Sequence, residues 1–165
     1  MKTMICDLLQ IELPLFAFSH CRDVVTEVSK SGGFGVLGAA GFTPDRLEEE
    51  LDWIDKNIGD HNYGIDFLIP ASRVEGNDTN KLKAMIPNEH HEFISNLLEE
   101  SNVPELPSDY HGHLASAEAG ATIGDRPFEM LRTTLEKHEK ISLYANALRT
   151  PPQQVLELCR NHKIL

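Results

Sequence analysis

Apolar and polar positions along this chain switch repeatedly between the short runs of a buried strand and the 3.6-residue spacing of an amphipathic helix. Leu13-Pro14-Leu15-Phe16-Ala17-Phe18 reads as a buried strand, and Cys21 to Lys30 carries Val24, Val25 and Val28 on one helical face. Gly32 and Gly33 provide the positive φ that ends a helix, and Phe34 to Gly38 opens a second strand. Gly35 and Gly38 keep that strand thin where another backbone or a ligand approaches. The next helix is marked by Thr43 as N-cap, Pro44 at the first helical position, Asp45 against the helix dipole, and Leu47, Leu51, Ile54 and Ile58 on one face. Glu48, Glu49, Glu50 and Asp52 form its outer, solvated face. Gly59 stops it, and Tyr63 to Ile69 reads as a third strand closed by Pro70.

Residues 71 to 126 break this rhythm with many Asn, Pro, Gly and Ser residues around one helix, Asn88 to Glu100, whose apolar face is Phe93, Ile94, Leu97 and Leu98. An insertion or lid is expected there. Beyond it, Pro127 to Lys140 places Met130, Leu131, Leu135 and His138 at helical spacing, and Ile141 to Ala145 is a fourth strand. Thr150-Pro151-Pro152 starts a helix with Val155, Leu158 and Cys159 inward, and His162 to Leu165 looks like the first residues of a fifth strand. The order predicts an α/β fold with a parallel sheet, which either closes as a (β/α)₈ barrel or stays open and doubly wound. A barrel of about 250 residues would be half built at residue 165. The expectation is therefore one incomplete barrel domain over residues 1–165, truncated after about four β/α units.

Composition narrows the partners. Acidic residues outnumber basic ones 26 to 15, for a net charge of −11, and no Lys/Arg cluster provides a nucleic-acid footprint. A phosphate-bearing small ligand stays open, because backbone N–H groups bind phosphate without basic side chains. Cys6, Cys21 and Cys159 are odd in number and widely spaced, which suits reduced thiols in a cytoplasm. There is no run of about 18 apolar residues for a membrane span and no signal-peptide pattern at the N-terminus.

In a parallel α/β architecture, ligands meet the carboxyl ends of the strands. Phe16 to His20, Gly38 to Phe42, Asp66 to Ala71 and Ala145 to Thr150 are thus the segments to watch, and they are mostly small and apolar. Asp66 is the exception: an unpaired carboxylate in an apolar strand is costly. It either accepts hydrogen bonds from neighbouring backbone or a Ser/Thr and ties strands together, or it binds a ligand. His20 follows the first strand directly and could contact a substrate, although no nucleophile elbow surrounds Ser19-His20. His90 and His91 are adjacent on a helix and point about 100° apart, so they lack the i, i+4 zinc spacing. His111 and His113 lie in a polar stretch without strand pattern, so all four read as surface histidines and no metal site is expected from them.

Taken together, Leu13-Pro14-Leu15-Phe16-Ala17, Val28 to Ala39 with its Gly-Gly-Phe-Gly, Phe42-Thr43-Pro44 with Leu47, and Tyr63-Gly64-Ile65-Asp66-Phe67-Leu68-Ile69-Pro70 resemble the amino-terminal half of the nitronate monooxygenase family, once called 2-nitropropane dioxygenases. The resemblance covers about the first 70 residues and returns weakly from Ile141 to Val155. It implies an FMN-dependent barrel oxidoreductase acting on a small nitronate. It also implies that Ala17, Phe18 and Ser19 pack on the flavin and that Asp66 accepts from its ring N–H groups, while His20 and Gly41, by their positions after the first and second strands, are the candidate substrate contacts. The chain departs from the family in lacking the Ala-Pro-Met element after the first strand and in carrying Arg149 where a glycine is expected before Thr-Pro-Pro. That arginine would crowd the strand end or reach a phosphate. The family's catalytic histidine, in a Gly-Gly-His element, belongs to the half beyond residue 165, so no catalytic residue is assigned here. Two other readings remain: a non-catalytic fragment that dimerises through open sheet edges or meets a complementary barrel half, and a metal-dependent hydrolase on a barrel.

Overall fold

The structure, a computed structural model, describes residues 2–69, 84–105, 126–147 and 150–165. The chain divides into two compact units, one of residues 72–114 and one of the remainder. In the larger unit, β1 (Phe16–Ser19), α2 (Arg22–Lys30), β2 (Phe34–Gly38), α3 (Pro44–Asn57) and β3 (Tyr63–Asp66) alternate as the hydrophobic pattern predicts, preceded by a helix it does not predict, α1 (Met4–Leu9). The smaller unit holds α4 (Asn88–Glu100). The larger resumes with α5 (Arg126–Lys137), β4 (Ile141–Ala145) and α6 (Gln153–Asn161).

The four strands are parallel and lie in the order β1-β2-β3-β4. Doubly wound sheets reverse their strand order at a switch point. These four strands show no reversal. Leu37, Ala39, Tyr63, Ile65, Phe67 and Ile141 share one core with Val25 of α2, Leu47, Leu51 and Ile54 of α3, Leu131 and Leu135 of α5, and Val155 and Cys159 of α6. All four crossover helices therefore cover the same face of the sheet. The opposite face carries Phe34 and Val36, packed with Leu9, Ile5 and Ile11 from the N-terminal segment and with Leu143 and Ala145 of β4.

β1 is not the buried strand that its composition predicts. It spans only Phe16–Ser19, and Leu13, Leu15, Phe16 and Phe18 are all exposed, Phe18 to 57%. Upstream, Glu12 and Leu13 turn their N–H groups onto the Gly32 carbonyl, and Pro14 has none to give. Downstream, β1 lies at one edge of the four-stranded sheet. The α2 face is shifted as well: Val25, Thr26 and Ser29 are buried while Val24 is exposed.

α3 follows its sequence signals closely. The Thr43 side chain accepts from the Arg46 N–H at 3.3 Å, and Leu47, Leu51, Ile54 and Ile58 are buried. Glu50 departs from the expected solvated face, for it is only 4% exposed and its carboxylate pairs with Arg22 at 3.5 Å and with Arg46. Two guanidinium partners make that burial tolerable. Thr43→Ala should lower stability by about 1 kcal/mol in urea denaturation, the usual loss when an N-cap oxygen is removed.

Beyond α6, the Leu165 N–H donates to the Ser142 carbonyl at 3.1 Å and the Tyr144 N–H donates to the Leu165 carbonyl at 2.8 Å. These two bonds make the ladder of a parallel strand beside β4, at the position where the sequence places the start of a fifth. No described helix is long and apolar enough to cross a membrane.

Candidate functional site

The parallel order brings the carboxyl ends of β1, β2, β3 and β4 to one end of the sheet. In register, Ser19 lies beside Leu37, Gly38 beside Asp66, and Asp66 beside Ala145. β1 continues into His20, whose Nδ1 donates to the Gly38 carbonyl at 2.9 Å, so the imidazole leans across the end of β2. Phe18 meets the same imidazole edge-on, with ring centroids 5.1 Å apart. Both rings occupy space that a side chain at residue 38 would claim. A Cβ on Gly38 would sit 2.5 Å from Phe18 Cζ and 2.7 Å from His20 Nδ1.

Asp66 ends β3 as a buried residue, 9% exposed. Its backbone carbonyl accepts from the Ala39 N–H at 2.8 Å, but the side-chain Oδ1 is buried without a hydrogen-bond partner. Burial pushes the Asp66 carboxyl above its ordinary range, and the neighbouring His20 offsets this in part. Of the two roles the sequence leaves open for Asp66, the strand tie through neighbouring donors is absent at Oδ1. Asp66 Oδ1 therefore has no donor among the described residues.

The rest of the rim is held in place by β4. The Tyr144 hydroxyl donates to the Phe67 carbonyl at 3.3 Å and the Asn146 Nδ2 to the Ile69 carbonyl at 2.9 Å, fixing the segment after Asp66. Gly41, in the turn after β2, has φ +90° and open space where a Cβ would point. The Ser19 hydroxyl accepts from the Cys21 N–H at 3.0 Å, which commits it to the turn into α2. Ala17 is half-buried and, by strand alternation, lies on the opposite face from Phe16 and Phe18. The structure thus brings Phe18, His20, Gly38 and Asp66 together, with Ser19 and Gly41 at the margin. Gly38 is the member whose role needed the structure, since sequence marks it only as a thin point.

His90 and His91 are exposed on α4. His111, His113, Arg149 and most of the expected insertion lie outside the described residues.

The chain as a whole is similar to known proteins. No protein-family profile matches the chain. A Mycobacterium tuberculosis (strain ATCC 25618 / H37Rv) protein named "Putative monooxygenase Rv1533" is 37% identical over 169 residues, covering 100% of this chain and 44% of that protein. A "Probable nitronate monooxygenase" of Staphylococcus aureus (strain JH9) is 30% identical over 76 residues, 44% of this chain and 21% of that protein. The chain is similar to the nitronate monooxygenases. It corresponds to their amino-terminal part and spans less than half the length of the curated relatives it matches. Among solved structures, a nitroalkane oxidase from Streptomyces ansochromogenes superposes with a TM-score of 0.58 at 15% identity, covering 99% of this chain and 41% of that one. At that identity the likeness speaks for the fold alone: the α/β arrangement is shared along nearly the whole length of this chain.

Proposed function

We propose that this chain is the flavin-facing part of an FMN-dependent, nitronate monooxygenase-like (β/α)₈ barrel oxidoreductase. Strand order without reversal and crossover helices on a single face are the features of a barrel wall seen in part. The single observation that carries the cofactor reading is the buried, unpartnered Asp66 Oδ1 at the carboxyl end of β3. A flavin ring presents N–H groups and needs such an acceptor, so the residues fit the group. The β1 end at Ala17, Phe18 and Ser19 would lie against the ring, Asp66 would accept from its N–H, and His20 and Gly41 would border a small nitronate substrate. Bound FMN would supply the redox chemistry, while the protein positions the anion and excludes water. With no base assigned among these residues, little or no turnover is expected from this chain alone. Its place of action is the cytoplasm.

The test is FMN titration followed by quenching of flavin fluorescence, comparing the natural chain with Asp66→Ala. Removing the acceptor should weaken binding about 10- to 150-fold, since a hydrogen bond to a charged group contributes about 1.5–3 kcal/mol. Equal affinity in the two proteins, or no binding by either, would overturn the cofactor reading. A second reading has its own observation: β1 is an edge strand of the described sheet, and Phe16 and Phe18 within it and Leu13 and Leu15 just before it are exposed. In that reading the chain is a non-catalytic fragment that pairs through open sheet edges. A colourless dimer in size-exclusion chromatography would favour it.

A further inference from the structure

A second group of converging donors lies on the helix-covered side of the sheet, next to the amino-terminal end of β4 and so at the opposite end of that strand from Ala145. Glu48 and Asp52 are one turn apart on α3, and His138 follows α5. One side-chain donor atom from each lies within 4.8 Å of the others. His138 is only 3% exposed, yet its Nε2 has no hydrogen-bond partner among the described residues, and a carboxylate oxygen, Glu48 Oε2, stands 3.7 Å away. On the other side of the ring, Nδ1 donates to Asp55 Oδ2 at 2.7 Å. That bond fixes the ring orientation and directs the Nε2 lone pair toward Glu48 and Asp52.

We propose that His138 Nε2, Glu48 and Asp52 form a binding site for a first-row divalent cation of the zinc type. One imidazole with two carboxylates suits such an ion, whereas calcium and magnesium prefer an all-oxygen shell. The surrounding contacts have the form that metal sites use. A carboxylate holds the distal nitrogen of the ligating histidine, and Asp55 is itself anchored by Lys140, whose Nζ donates to the Asp55 backbone carbonyl at 2.6 Å. Lys137 occupies Glu48 Oε1 at 2.7 Å and leaves Oε2, the oxygen facing His138, for the ion. Donors about 2.0–2.2 Å from a common zinc lie closer together than 4.8 Å, and the exposed Asp52 can swing inward to close the difference. Asp52 opens to solvent, so water would complete the shell. The bound ion would clip α3 to the end of α5.

Zinc chloride titrated into the full chain by isothermal calorimetry tests this. The expected result is one ion per chain, with affinity reduced about tenfold or more in Asp52→Asn and lost in His138→Gln. A double variant, His90→Ala with His91→Ala, should bind as the natural chain does. Because His138 is buried, its variant can fail to fold. Asp52 is exposed, and circular dichroism of Asp52→Asn shows whether the fold is kept, so that variant decides the matter alone. No zinc binding, binding unchanged in Asp52→Asn, or binding abolished in the α4 double variant would overturn the proposal.

Discussion

Gly35→Ala is expected to cost about 3 kcal/mol, the upper part of the range for overpacking a core. A Cβ at residue 35 would fall inside the contact distance of the Val25 carbonyl oxygen and within 2.7 and 2.8 Å of the Val25 Cα and carbonyl carbon. These are backbone atoms of α2, so no side chain can rotate away. The helix as a whole would have to lift from β2, a strand buried along its full length, and Val25 and Leu37 would lose packing with it. Against a total stability of about 5–15 kcal/mol for an ordinary domain, such a loss is large. Urea denaturation with an unchanged slope and a strongly lowered midpoint is the expected outcome. A shift below about 0.5 kcal/mol would mean that α2 is not seated on β2 in this way.

Asp66→Asn should act in the other direction and depend on pH. Burial raises the Asp66 carboxyl in the folded chain above its ordinary value of 3.8. Below that ordinary value both folded and unfolded chains carry the proton, and the carboxyl costs the fold nothing. As pH rises, the unfolded chain releases its proton first, so stability falls until the folded carboxyl has also ionised, and it stays lowered above that point. Asparagine has no such charge to bury. Its thermal midpoint should exceed that of the natural chain by about 2–4 °C at neutral pH, and the difference should vanish in acid. A gain of equal size at both pH values would show that charge burial is not the cause. The pH dependence would thus separate the cost of burying this charge from the cost of leaving its Oδ1 without a donor among the described residues.

Much of this architecture was legible in the chain because local signals agreed with the final packing. Thr43-Pro44 starts α3, Leu47, Leu51 and Ile54 share its buried face, and the apolar runs at Phe34 and Ile141 are strands. Where sequence reasoning erred, the deciding contact was remote. β1 reads as buried because apolar runs usually are, yet it stands at an edge of the described sheet with Phe16 and Phe18 exposed. Glu50 sits in an acidic run and is nonetheless buried, because Arg22 of the preceding helix reaches it. His138 meets Asp55 across 83 residues, a pairing that no periodicity announces. In the candidate site, Asp66 was visible as a misplaced charge. The contact of Phe18 and His20 over Gly38 required the register between β1 and β2.

The long excursion between β3 and β4 also says something about how readily this fold accepts additions. Between Asp66 and Ile141 the chain accommodates a separate compact unit, yet the two strands still pair in register, apart from an irregularity at Tyr63 and Gly64. Closing a connection of that length costs only roughly 1.5 kcal/mol more than closing the short crossover between β1 and β2, because closure entropy grows with the logarithm of length. Lengthening this crossover is therefore thermodynamically cheap, whereas Gly35, with the Val25 backbone against it, and the fully buried Leu37 and Ile65 leave no such latitude. The connection that follows the strand ending in Asp66 can thus vary in length at little cost to the pairing of the sheet.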